Sequence, residues 1–103
     1  DAVDETILVS RGEAFDAAVA AAGKELPALL SARTGDAAIH APTRLAILEK
    51  VRQALRARHA SSAELAILPG ETTLSWLLDA GPAAFAVDAK TGKVKILFKG
   101  LID

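Results

Sequence analysis

The chain has 103 residues, 51% of them hydrophobic, and a formal net charge of −1. This length supports one hydrophobic core and is too short to divide, so residues 1–103 read as a single compact domain without linkers. No apolar run approaches the roughly 20 residues that span a bilayer, and the start, Asp1 to Glu5, is acidic where a signal peptide is basic.

The hydrophobic share is inflated by 23 alanines, each of which buries little area. The bulky material is 14 leucines, six valines, six isoleucines, Phe15, Phe85, Phe98 and Trp76, enough for one ordinary core. With no cysteine, disulfides, a thiol nucleophile and cysteine-ligated metal are excluded, and either redox compartment is compatible. The default expectation is the cytoplasm. Methionine is missing even at the first position, as expected of a processed or trimmed chain and compatible with a removed leader. Charge is segmented: residues 1–25, 26–60, 61–88 and 89–103 carry −4, +4, −4 and +3. Such alternation is read as attraction between neighbouring elements of the same molecule.

Thr6 to Ser10 is a β-branched and aliphatic run, predicted to be a central strand covered on both faces. Ser10 with Glu13 makes a capping box, and Phe15, Val19, Ala22 and Leu26 recur at helical spacing, so a helix starts near Arg11. Gly23 and Pro27 end or kink it, Leu26, Leu29 and Leu30 offer a further turn, and 33–41 reads as a loop. Pro42 suits the first turn of a second helix whose face is Leu45, Leu48, Val51 and Leu55, joined by Ile47. Ala63 to Leu68 is a strand stopped by Pro69 and Gly70. Thr72 or Thr73 is predicted to cap a short helix through Leu78, halted by Gly81 and Pro82. Ala84 to Asp88 and Lys93 to Phe98 form a C-terminal antiparallel hairpin around Ala89, Lys90, Thr91 and Gly92. The expected class is α+β, a small mixed sheet with helices packed on it, in the order β-α-α-β-α-β-β. Its first two strands would be parallel through a right-handed crossover.

Among candidate catalytic groups, the sharpest are Asp88 and Lys90, with Asp79 nine positions before Asp88. This pattern resembles the metal-dependent PD-(D/E)xK nucleases. The resemblance covers a dozen residues and implies that Asp79 and Asp88 hold magnesium while Lys90 assists water or stabilises charge. Leu78 stands where that family has proline, Asp79 falls at a predicted helix end, and Lys90 falls inside a tight turn. Turn chemistry accounts for Asp88, Lys90 and Gly92 more simply. His40 and His59 show no partner in the sequence, and His59 near a helix end complements the dipole. Ser10, already used as a cap, has no nucleophile elbow around it, and Thr91, Gly92 and Lys93 lack the glycine and the helix of a phosphate loop. No metal or cofactor is expected.

Arg44, Lys50, Arg52, Arg56 and Arg58 on one helix could neutralise phosphates, which gives a basic-helix nucleic-acid binder as a further alternative. No aromatic residues are interleaved with them for base stacking, so nucleic acid is not the expected partner, and salt-sensitive attraction is the most they should give. On the hairpin, Val94, Ile96 and Phe98 share one face and Lys93, Lys95, Leu97 and Lys99 the other. The lysines guard the sheet edge, while Leu97 and Trp76 are possible apolar anchors, Trp76 being assigned to the core. These patterns favour a non-catalytic protein–protein interaction or assembly module over the nuclease. The contact surface is Lys93, Lys95, Leu97 and Lys99, meeting a protein partner or a second copy.

Overall fold

Residues 4–34, 41–58 and 62–98 are described by the computed structural model of the chain. Within them three helices precede four strands. The helices are α1 (Arg11–Lys24), α2 (Leu26–Thr34) and α3 (Ala41–Ala57), and the strands are β1 (Ala63–Ile67), β2 (Leu74–Ala80), β3 (Ala83–Asp88) and β4 (Val94–Phe98). The α+β class expected from the sequence holds, with the sheet a fully antiparallel meander in the order β1-β2-β3-β4.

The capping box starts α1 as predicted. Ser10 Oγ accepts from the Glu13 backbone N–H at 3.1 Å, and the Glu13 carboxylate accepts from the Ser10 N–H at 2.9 Å. Two donors that the first helical turn leaves without intrahelical acceptors are thereby satisfied. The buried face of α1 is Ala14, Phe15, Ala18, Ala21 and Ala22, mostly methyl groups, which lets the helix lie close against the sheet. Glu25 separates α1 from α2, where Pro27 sits in the first turn and needs no intrahelical donor. α2 continues to Thr34, two residues into the stretch read as a loop. In α3, Leu48, Val51 and Leu55 are buried as expected, whereas Leu45, near the start of the helix, is 66% exposed.

Two corrections concern strands. Thr6 to Ser10 is not a strand. It joins no ladder: the isolated parallel bridge of Asp4 with Thr73 precedes it, a bend falls at Val9, and it hangs from the Ala89 carbonyl, which accepts from the Leu8 and Val9 N–H groups. Leu8 is 67% exposed, so the apolar run that suggested a central strand is not covered on both faces. The sheet therefore contains no parallel pair of full strands and no crossover. The other correction is at 72–78, where the predicted short helix is β2. Its Trp76, Leu78 and Ala80 face the helices in register with Val87, Phe85 and Ala83. β1 pairs with Leu74–Leu78 and β3 with Ser75–Ala80, so Ser75 to Leu78 are paired on both sides, which an isolated two-turn helix could not offer.

The helices cover one face of the sheet, α1 lying over β2, β3 and β4 and α3 over β2. Leu78, Phe85 and Val87 are sealed in between, and each such side chain stabilises the fold by roughly 1.5–3 kcal/mol on burial. Trp76 is half-buried against this core, its indole N–H donating to the Val9 carbonyl at 2.8 Å. The β2–β3 connection is the pair Gly81–Pro82, with Gly81 at φ +74°, the conformation that two-residue hairpin loops reserve for glycine. No helix of the described residues is long and apolar enough to cross a membrane.

Candidate functional site

Register places Asp79, Asp88, Lys95 and Leu97 on the sheet, while Lys90 falls in the β3–β4 turn. Glu64, Leu77, Ala86 and Lys95 form one row across the four strands, on the face turned away from the helices. Asp79, Ala84 and Leu97 form the next row, and Ala66, Ser75 and Asp88 flank the first on its other side. Both acids of the nuclease-like pattern are therefore on one face, but four residues of β3 separate their rows, about 13 Å at the usual rise of a strand. Asp79 lies within strand β2 and not at a helix end, and its carboxylate accepts from the Gly81 N–H at 3.1 Å.

Asp88 holds a turn. One carboxylate oxygen accepts from the Lys90 and Thr91 N–H groups at 2.8 and 3.0 Å, and the other from the Thr73 hydroxyl at 3.1 Å. Desolvation pushes this carboxyl upward, but the donors from Thr91, Lys90 and Thr73 outweigh it and hold it below the ordinary carboxylate range. Gly92 closes the turn at φ +81° and donates to the Asp88 carbonyl at 2.9 Å. Lys90 points elsewhere, its ammonium 2.7 Å from Asp4. That bond, with help from Thr6, keeps the Asp4 carboxyl far below its usual value, and Asp4 in turn raises Lys90. Asp79, Asp88 and Lys90 are thus not brought together. Among the described residues no three His, Cys, Asp or Glu side chains converge on a possible metal position. His40 and His59 lie outside the described residues.

The hairpin surface is assembled as its alternation implies. Val94 and Ile96 pack on the core, while Leu97 emerges on the opposite face at 39% exposure. Lys93 and Lys95 are exposed beside it, and Lys99 lies outside the described residues. Lys95, though exposed, also has a partner in its own chain. Its ammonium reaches Glu71 in the β1–β2 connection at 2.9 Å, bridging a cavity of about 210 Å³ floored by Ser75 and Ala86. Sequence reading missed Glu71, although the −4 of residues 61–88 facing the +3 of 89–103 was its signal. The same logic holds elsewhere. Arg58, at the end of α3, pairs with Asp16 of α1 and stacks its guanidinium 5.9 Å from the Phe15 ring. These pairs, with Lys90 and Asp4, join segments of opposite sign.

Lys50, Arg52 and Arg56 are exposed along α3, with Arg52 and Arg56 bordering a cleft of about 140 Å³ against Val19 and Ala22 of α1. No aromatic side chain lines it. No family model matches this chain, and no curated protein or solved structure matches it either.

Proposed function

We propose that the chain is a non-catalytic protein–protein interaction or assembly module, working in the cytoplasm, whose contact surface is the open face of the C-terminal hairpin. Leu97 is its apolar centre and Lys93 and Lys95 its rim, with Lys99 continuing the same alternation. The observation that carries this reading is the exposure of Leu97 on a sheet face that no described helix covers. Ala84 beside it is small, so a partner side chain can approach the sheet closely. Burial of Leu97 would contribute roughly 1.5–3 kcal/mol, and an acidic partner surface would speed encounter with the lysines.

The test compares the wild-type chain with Leu97→Asp as bait in extract of the source organism, with Leu45→Asp as a more exposed control. Leu97→Asp should keep the far-UV spectrum and lose the captured partner, while Leu45→Asp keeps it. Equal capture by all three would sink the proposal. So would magnesium-dependent DNA cleavage by the wild type that disappears in both Asp88→Ala and Lys90→Ala, since that pair of results belongs to the nuclease.

A further inference from the structure

The two outer strands of the sheet end it differently. β4 is flanked and punctuated by lysines, the usual guard against pairing with another chain. β1, Ala-Glu-Leu-Ala-Ile, contains no lysine, no proline and no bulge, and among the described residues it pairs only with β2. Its outer backbone donors and acceptors are a template for one more strand. Leu65 and Ile67 stand 37% and 44% exposed on the helix-bearing side, past the helices, whose main contacts are with the other three strands.

We propose that β1 is a self-association edge, through which two copies of this chain pair antiparallel about a two-fold axis normal to the sheet. Full overlap of the five residues sets Leu65 opposite Leu65 of the second copy, Ala63 opposite Ile67, and Glu64 opposite Ala66. Apolar residues then meet apolar residues on the helix-bearing side, as cross-strand pairs require. The row that holds Leu65 continues into Trp76, so a strip of four large side chains crosses the junction. Centring the axis on Glu64 would oppose two carboxylates, and centring it on Ala66 would set Glu64 against Leu68. A head-to-tail contact of β1 with β4 is disfavoured by the lysines that flank and punctuate β4. Five residues a side bury less than the roughly 1,200 Å² of a standard stable interface, so the dimer is weak and concentration-dependent.

The absence of cysteine makes the geometry directly testable. Directly opposed strand residues have Cα atoms about 4.5–5.5 Å apart, within disulfide reach. Under mild oxidation Leu65→Cys should form a disulfide dimer at least tenfold faster than Leu45→Cys. Sedimentation of the unmodified 10.7 kDa chain should rise with concentration and level at twice that mass. Leu65→Lys, with unchanged far-UV spectrum and Tm, should weaken association at least tenfold. Equal cross-linking at 65 and 45, a mass that stays monomeric, or one that climbs past the dimer would each overturn the proposal. Leu97→Asp should leave the cross-link at 65 unchanged, which separates this edge from the hairpin face. Its loss there would show that the copies meet through that face instead.

Discussion

β1 and β4 are both outer strands of one sheet, yet they stand in different physical situations. β4 packs Val94 and Ile96 against the core under α1, turns its lysines outward, and is pinned to β3 by a turn built around Asp88. β1 packs Ala63 inward, leaves Leu65 and Ile67 half in water, and is joined to β2 by the longer connection 68–73. The contrast teaches that one antiparallel sheet can close itself by charge at one end and remain open to another strand at the other. What differs is which residues alternate at the edge and whether a helix reaches over them.

The largest expected effect tests whether both edges lean on one core. Phe85 lies at the middle of the sheet, fully buried, with Leu78 and Ile96 beside it in register. Phe85→Ala should cost about 3–5 kcal/mol in urea denaturation and lower amide protection in β1 and β4 together. Protection that survives in β1 alone would break the comparison, because it would mean that this strand is held by something other than the shared core.

A smaller effect should loosen one edge at a time. Asp88→Ala leaves the Lys90 and Thr91 N–H groups without their acceptor and should cost about 1 kcal/mol, with faster amide exchange in β4. Gly70→Ala forces a side chain onto a residue at φ +83° in the β1–β2 connection and should cost about the same, with faster exchange in β1. If either substitution loosens both strands equally, the edges are not independent units.

The smallest effect is in the pH dependence. Asp4 and Asp88 are held below the ordinary carboxylate range, so their contribution is present above the unfolded value of about 4 and is lost as pH falls through and below it. Lys90, raised by Asp4, has the opposite sign and contributes until pH climbs past the ordinary lysine value of about 10.4. Asp88→Asn keeps an acceptor oxygen for the turn and should reduce the acid-side loss of stability by less than about 1 kcal/mol. Asp4→Asn should weaken the acid and alkaline dependence together. An acid limb unchanged in Asp88→Asn would mean that the turn uses the oxygen's lone pairs and not its charge.

Local signals determined much of this protein. The capping box at Ser10, the stripe of α3, the strand before Pro69 and the hairpin around Gly92 are each encoded within a few residues, because caps, periodicity and positive-φ glycines act over that range. The charge alternation pointed to attraction between segments, and Arg58 with Asp16, Lys90 with Asp4 and Lys95 with Glu71 join segments of opposite sign, but which residues pair was not legible in it. Period-two alternation along β4 separated Leu97 from Val94 and Ile96. What only the tertiary structure decided lies where the local pattern was ambiguous. The run 72–78 carries a cap and an apolar face and could have formed a helix. It is a strand because β1 and β3 flank it and satisfy its backbone on both sides. Thr6 to Ser10 has the composition of a buried strand, but Ala89 and Trp76 hold it outside the sheet, through residues some 70 to 80 positions later in the chain. Separation of Asp79 from Asp88 along the sheet, and exposure of Leu65 past the helices, are also matters of register and coverage. These depend on which distant segments meet, which periodicity within a short window does not encode.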